Sequence, residues 1–325
     1  MPRCSSGSSG RVGPGPSRDA GPEGPLERYA QEGGLDGSLV MGRTAPSSGL
    51  APRIPSGVSD FDAITGGLPP GSVLLLLGEP GAGHSEFALS SAAQLMRAFD
   101  HGRAPRFQMG ASRAPLILPR QVSYLSFTRS REQLLSEVAD AFPREYYETL
   151  SSHLDFADLS EAYFADSVVP SHWTGGHRSL LEDSPPSPDG VLPVLASALE
   201  GRSQQSLVIV DSLSDLLVRT SQRPDEILTL VKGLRRTAKN WGGLIYLLLA
   251  RNVTEPRLEQ AFMDSVDAVL GFLWIHSANR SARSRAMIIE KSMPLLSHVP
   301  SQFQGRFVLR VNQLDGLVTT QYERI

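Results

Sequence analysis

Short, uninterrupted runs of apolar residues recur along the chain, and each run gives way to a polar or glycine-rich segment. Runs of this length are too short for most helices and are typical of strands that a parallel sheet buries on both faces. They predict strands at residues 73–77, 121–127, 207–210, 244–250 and 268–275.

Between these runs, polar and apolar residues alternate with the spacing of helices. The predicted helices are residues 85–97, 131–141 and 224–239. The last of them has the clearest limits. Pro224 suits a first helical turn, and Asp225 and Glu226 complement the positive end of the helix dipole. The glycine pair at 242–243 then ends the helix.

The C-terminal part has a different pattern, in which short apolar segments follow one another with only turns between them. They predict strands at residues 286–290, 307–311 and 317–320. Alternating strands and helices imply an α/β fold with a doubly wound, mostly parallel sheet. The closely spaced strands at the end imply an antiparallel extension of that sheet.

Composition divides the chain into a tail and one folded domain. Residues 1–50 are rich in Gly, Ser and Pro and hold few branched apolar residues, so we expect a disordered tail. Residues 51–325 then form a single domain. Within it, segments 100–119 and 165–190 are longer than ordinary connections and are either functional insertions or disordered loops.

Charge and cysteine content exclude several classes of protein. The net charge of −3 gives no general attraction to nucleic acid or to anionic membranes. The single cysteine, Cys4, allows neither a disulfide framework nor a cysteine metal cluster. No apolar run reaches the ~18 residues of a membrane span. We therefore expect a cytoplasmic protein without a membrane segment.

A glycine-rich segment links the first predicted strand to the first predicted helix. It reads Gly78-Glu79-Pro80-Gly81-Ala82-Gly83-His84-Ser85. The spacing matches the phosphate-binding loop of nucleotide-binding proteins, except that His84 stands at the lysine position. In such loops backbone N–H groups surround a phosphate, and the Ser85 hydroxyl would face Mg²⁺. The alternative is an ordinary strand-to-helix turn with incidental glycines.

Residues on both sides of this loop match a known family. They are Ser56-Gly57-Val58, Phe61-Asp62, the run 66–72 and the segments 124–127 and 208–213. Over residues 54–320 the chain resembles the KaiC-like branch of the RecA superfamily. Within that branch it is similar to the archaeal HTR-like group, which is described as RecA-type ATPases that have lost activity and is linked to signal transduction. The resemblance implies a RecA-like fold, ATP and Mg²⁺ as ligands of residues 78–85, and assembly into rings or filaments.

Two substitutions change the loop that the resemblance assigns to phosphate binding. His84 replaces the family lysine, and an ordinary imidazole is mostly neutral at pH 7. Losing the charged hydrogen bond of that lysine is expected to weaken phosphate binding roughly ten- to hundredfold. Glu86 adds a carboxylate to the first turn of the same helix. It complements the helix dipole, and an acid that stabilises the empty helix end also competes with a bound phosphate.

A further substitution falls where relatives carry two adjacent glutamates, one of which activates water. The matching residues here are Thr128 and Arg129, and neither is a general base at neutral pH. Loss of a general base slows a reaction by ~10²–10⁴-fold. Glu132, about one helical turn further on, is the alternative base.

The remaining family positions concern the metal and the neighbouring subunit. Asp211 ends a predicted strand where the family holds Mg²⁺, unless it is a surface turn residue, and we expect Asp215 to face solvent. Lys291 matches a lysine that reaches the neighbouring subunit's nucleotide, or it is a strand-end surface lysine. Met293 stands where relatives have an arginine that acts on that nucleotide.

These observations leave three functions open. The first is a degenerate ATPase domain that binds ATP and Mg²⁺ weakly or not at all and serves as a regulatory or signalling scaffold for a protein partner, with or without homo-oligomers. The second is an active ATPase with a rearranged site, in which His84 becomes protonated when a phosphate binds beside it. The third is a RadA-like DNA-binding protein, supported by Arg280, Arg283 and Arg285 at a predicted turn. The net charge and the lack of aromatic residues among these arginines weigh against nucleic acid.

Overall fold

The computed structural model describes most of the predicted domain. The described residues are 51–100, 112, 114–165, 167–174, 190–219, 223–276, 283–292, 305–313 and 316–324. The predicted tail and large parts of the predicted loops 100–119 and 165–190 lie outside them.

Nine strands form one sheet in the described part of the chain. They are β1 (Ser72–Gly78), β2 (Gln121–Ser126), β3 (Leu154–Asp158), β4 (Ser206–Asp211), β5 (Leu244–Ala250), β6 (Ala268–His276), β7 (Arg283–Ser292), β8 (Gly305–Asn312) and β9 (Gly316–Arg324). Their order across the sheet is β3-β2-β4-β5-β1-β6-β7-β8-β9. In this order, the first six strands, from β3 across to β6, pair in parallel. The remaining neighbours, β6 with β7, β7 with β8 and β8 with β9, are antiparallel. The prediction of a mostly parallel sheet with a C-terminal antiparallel extension is confirmed.

Nine helices are described, of which the first precedes β1 and the others lie between the parallel strands. They are α1 (Ser59–Thr65), α2 (His84–Asp100), α3 (Arg131–Ala141), α4 (Arg144–His153), α5 (Ser160–Phe164), α6 (Val191–Arg202), α7 (Leu213–Val218), α8 (Pro224–Trp241) and α9 (Pro256–Ser265). A short 3-10 helix, Ser171–Thr174, lies in the segment predicted as a long loop. Among the described residues, no helix is both long enough and apolar enough to cross a membrane.

The core lies on both faces of the sheet, as the continuous apolar runs predict. Every residue of β1 is buried, and its side chains alternate between two apolar clusters. Leu74 and Leu76 pack on the side of α2, and Leu75 and Leu77 pack on the side of α8. This double burial fixes β1 in the interior of the sheet, between β5 and β6.

The parallel strands bring their carboxyl ends to one edge of the sheet. The register pairs Gly78 with Ala250 and Ser126 with Asp211. The segments that follow β1, β2, β4 and β5 therefore start side by side. In open α/β sheets this edge is where ligands bind.

Candidate functional site

The glycine-rich loop forms the predicted connection between β1 and α2. Gly81 and Gly83 have φ angles of +72° and +116°, which residues with a Cβ rarely adopt. The backbone N–H groups of Gly81, Gly83, His84 and Ser85 donate to no described residue. They are thus left for an external acceptor or for water, and the N-terminus of α2 faces the same region.

His84 occupies the lysine position of this loop, but its ring folds back over the end of β1. A Cβ atom added to Gly78 would lie 2.3 Å from Nδ1 of His84, so glycine is required beneath the ring. Nδ1 is buried and has no hydrogen-bond partner among the described residues. Burial, and then the nearby charge of Arg129, lower the pKa of His84 to about 4. The imidazole is therefore neutral at pH 7.

Asp211 lies at the end of β4, as predicted, and its carboxylate is bound by the chain's own donors. A terminal nitrogen of the Arg129 guanidinium, Nη2, makes a close ion pair with Oδ2 of Asp211. The Tyr124 hydroxyl donates to the same oxygen at 2.6 Å. The Arg129 side chain is 25% exposed and that of Asp211 is 12% exposed, so water screens this pair only in part.

Arg129 has further contacts that hold it in this position. Its second terminal nitrogen, Nη1, lies 2.6 Å from Oε2 of Glu137 in α3. Its Nη2 also donates to the Tyr124 hydroxyl at 2.9 Å, and its backbone N–H donates to the Ser126 hydroxyl at 3.0 Å. The guanidinium therefore bridges β2, β4 and α3.

These residues do not fit a complex of Mg²⁺ with ATP. A cation at Asp211 would meet the guanidinium of Arg129, which already neutralises the carboxylate. The neutral ring of His84 offers no charge to the phosphates. Among the described residues, no group of three or more His, Cys, Asp or Glu side chains is arranged to hold a metal ion.

The other predicted residues of this region are spread along its rim. Thr128 is exposed. Glu132 is exposed at the start of α3, where hydrogen bonds from its own backbone N–H and from Ser130 lower its pKa. Asp215 does not simply face solvent as expected: its carboxylate accepts from the backbone N–H and the hydroxyl of Ser212 at 3.1 and 2.8 Å. It does so because the two residues form the capping box of α7.

Lys291 is held by its own chain. Its ammonium donates to the backbone carbonyls of Met263 and Asp264 at 2.9 and 2.8 Å, in the last turn of α9. These carbonyls have no partner within the helix, and a lysine is a favourable partner for them. Met293 lies outside the described residues.

The loop also has partners on β6 and β7 that the sequence did not indicate. The backbone N–H of Trp274 donates to the Glu79 carboxylate, and its indole N–H donates to the Pro80 carbonyl, both at 3.0 Å. Glu86 lies 3.6 Å from Arg285. The pairing of β6 with β1 places these groups beside the loop, and only the register between distant segments specifies it.

The arginines proposed as a basic tip have an aromatic neighbour, contrary to the expectation from sequence. The guanidinium carbons of Arg283 and Arg285 lie 5.9 and 5.4 Å from the ring centre of Trp274. The cross-strand pairing of Trp274 with Arg285 produces this stack. Trp274 binds Glu79 and Pro80, and Arg285 lies beside Glu86. The stack therefore supports the loop. Arg280 lies outside the described residues.

Arg251 is a charged residue of this edge that the sequence did not indicate. It directly follows β5, and its backbone N–H donates to the Gly78 carbonyl at 2.8 Å. Its guanidinium pairs with Glu290 and lies 3.9 Å from Glu259. Its place after a buried apolar run was the available signal, because such positions reach the carboxyl edge of the sheet.

Comparison with known proteins identifies the fold. No protein-family model matches the chain. No curated protein matches it either. Among solved structures, the flagellar accessory protein FlaH from Methanocaldococcus jannaschii has 16% sequence identity and a TM-score of 0.52, with 83% of this chain and 98% of FlaH covered. A KaiC-like protein from Pyrococcus horikoshii OT3 has 16% identity and a TM-score of 0.53, with 83% and 99% covered. The fold is therefore the one that FlaH and this KaiC-like protein share.

Proposed function

We propose that this domain has the RecA-type fold without ATP hydrolysis and acts as a regulatory or signalling scaffold that binds a protein partner. The observation that carries the proposal is the ion pair between Arg129 and Asp211. Phosphoryl transfer in such folds needs a divalent cation at this aspartate. The chain supplies a guanidinium there instead, and the Tyr124 hydroxyl binds the same carboxylate oxygen.

Two other features support the same conclusion. His84 is neutral and buried, so it does not replace the charge of a lysine on the phosphates. The residues after β2 provide no general base, because Thr128 is a hydroxyl residue and Arg129 offers only donors, which bind Asp211 and Glu137. Each change separately slows hydrolysis or weakens binding, and together they remove the metal, the phosphate clamp and the base.

The decisive experiment is calorimetric titration with Mg²⁺·ATP and with Mg²⁺ alone. The unmodified protein is expected to show no magnesium-dependent binding. Arg129→Ala frees Asp211 and Glu137, so a magnesium-dependent heat is expected to appear in that variant. Arg144→Ala is the matched control, because Arg144 is 90% exposed and, within the described part of the chain, its one ion pair is with Glu148 of α4. It should behave like the unmodified protein.

Tight Mg²⁺·ATP binding by the unmodified protein that is lost in Asp211→Asn would overturn the proposal. It would show that the Arg129 side chain leaves Asp211 when nucleotide arrives, and would favour an active ATPase with a rearranged site. A parallel titration of His84→Lys measures how much the missing ammonium contributes. If Asp211 remains paired with Arg129, that variant gains affinity for phosphate groups without gaining a dependence on magnesium.

A further inference from the structure

A cleft between α8 and α9 lies outside the site described above. Its volume is about 390 Å³. The residues that line it are Lys232, Arg235, Ala261, Asp264 and Ser265. Two cationic side chains of α8 thus face the last turn of α9 across an open space.

All the lysines of the chain lie around this cleft. The chain has 31 basic residues, and only Lys232, Lys239 and Lys291 are lysines. Lys232 lines the cleft. Lys239 binds Asp267 at 2.8 Å, the same carboxylate that Nε of Arg235 binds at 2.9 Å. Lys291 binds the backbone of Asp264 in the opposite wall.

The two carboxylates of this region do not neutralise its four cations. Asp267 is 8% exposed, and it accepts from the backbone N–H of Val73 in addition to Arg235 and Lys239. Asp267 is therefore already held by three donors beside the cleft. Asp264 is 73% exposed and lies 4.0 Å from Lys291. The six side chains of the region together carry an excess of two positive charges, and the lining itself holds two cations and one carboxylate.

Among the described residues, the Lys232 ammonium and the terminal nitrogens of Arg235 have no partner at the mouth of the cleft. The Lys232 ammonium makes no hydrogen bond or ion pair with any described residue, and Arg235 uses only Nε. The terminal nitrogens of Arg235 are thus open to a ligand. The negative end of α9 would ordinarily repel an anion here, but Lys291 already binds its last carbonyls.

We propose that this cleft is an anion-binding site that takes a phosphate group between Lys232 and Arg235. An arginine fork binds two oxygens of a phosphate at once, and a lysine adds a compact charge on the other side. The lining holds no large apolar side chain, which favours a small polar ligand over an apolar peptide. This site does not depend on whether the glycine-rich loop binds nucleotide.

The test uses inorganic phosphate and the whole chain. Calorimetry and thermal unfolding are followed with sodium phosphate, against sodium chloride at equal ionic strength. Lys232→Gln is expected to weaken phosphate binding roughly ten- to hundredfold, which is the effect of losing one charged hydrogen bond. Arg236→Gln is the matched control, since Arg236 is an exposed residue of the same helix outside the lining. It should bind phosphate like the unmodified chain.

Two results would overturn the proposal. Phosphate binding that survives in Lys232→Gln would place the anion elsewhere, for example at the glycine-rich loop. A chloride series that reproduces the effect of phosphate would show only screening of the positive charges. Both variants change exposed side chains, so a loss of binding in Lys232→Gln alone is not caused by unfolding.

Discussion

Arg129 changes the chemistry of Asp211 although it lies 82 positions away in the sequence. Its contacts on three elements hold the guanidinium in one place, and that reduces the entropy lost when the ion pair forms. Removing one partner of a partly buried pair leaves the other charge uncompensated, at a cost of ~3–5 kcal/mol when burial is complete. The effects of His84 and Asp62 on the stability of the domain can be measured with single substitutions.

The first prediction concerns the proton affinity of His84. Burial lowers its pKa to about 4, from the ordinary histidine value of 6.5. The unfolded chain therefore takes up a proton at higher pH than the folded chain, and the free energy of unfolding falls as the pH drops from about 6.5 to about 4. The proton-NMR signal of His84 should titrate near pH 4 and be missing from His84→Gln, which identifies it. A midpoint near 6.5, the ordinary histidine value, would contradict the buried, neutral ring.

The second prediction concerns Asp62, whose pKa is shifted in the opposite direction. Its carboxylate is fully buried and accepts from the backbone N–H groups of Ser56 and Gly57 at 2.7 and 2.9 Å. Burial raises its pKa from 3.8 to about 7 against these hydrogen bonds. The folded chain thus binds this proton more tightly than the unfolded chain. Its contribution to stability is complete below about pH 4 and is lost as the pH rises to about 7.

Urea unfolding at several pH values separates the two residues. Asp62→Asn should gain stability relative to the unmodified protein as the pH rises from about 4 to about 7, by an amount on the order of 3 kcal/mol. His84→Gln should gain relative stability in the other direction, as the pH falls through the same range. In the unmodified protein the two effects partly cancel. Parallel stability curves for Asp62→Asn and the unmodified chain would exclude a raised pKa for Asp62.

At the scale of elements, α8 and the strand that follows it depend on glycine in two different ways. Gly233 lies in the middle of α8 and faces open space. Gly243 precedes β5, and a Cβ atom there would lie 2.0 Å from the backbone carbonyl oxygen of Ser206. The first glycine is therefore only a weak helix former, whereas the second allows β5 to lie close to the start of β4.

Alanine substitutions at these two glycines should have opposite effects. Gly233→Ala is expected to raise the free energy of unfolding by ~0.5–1 kcal/mol, because glycine loses more backbone entropy in a helix. Gly243→Ala is expected to lower it by ~1–3 kcal/mol or more, because the backbone must move to admit a methyl group. Denaturant unfolding at neutral pH measures both. Equal effects of the two substitutions would mean that Ser206 moves freely.

The sequence predicted the strands that are buried on both faces, and it missed elements that are partly buried or lack a clear apolar face. The continuous apolar runs gave β1 and β5 because both faces of these strands are covered. The edge strand β3 was missed, since it is short and only partly buried. Helix α6 was missed as well, because its apolar residues surround the helix without a clear face and Pro193 lies near its start. Its proline is tolerated because it falls in the first turn.

The same limit applies to the candidate site. The loop pattern and the family resemblance together assigned His84, Arg129 and Asp211 to one site. The ion pair itself was not predictable, because it depends on the register of β2 against β4. The support of the loop by Trp274 likewise depends on how β6 pairs with β1.

For the molecule as a whole, the prediction is that no single substitution restores hydrolysis. The unmodified chain and His84→Lys should release phosphate from Mg²⁺·ATP no faster than a blank, because Arg129 still occupies Asp211. The double variant His84→Lys with Arg129→Glu restores a charge for the phosphates and removes the guanidinium, so it is the first in which magnesium-dependent turnover is expected. Turnover in the unmodified chain that disappears in Asp211→Ala would show an active enzyme.

The guanidinium that binds Asp211 is part of the same chain, so it is present at the site in a fixed amount. A dissociable ion occupies its site in proportion to its free concentration. A tethered group has an effective concentration that the surrounding medium does not alter. The charge state of Asp211 is consequently the same in a magnesium-poor solution as in a magnesium-rich one. The proposed scaffold would in this way keep one state whatever the magnesium supply of the medium.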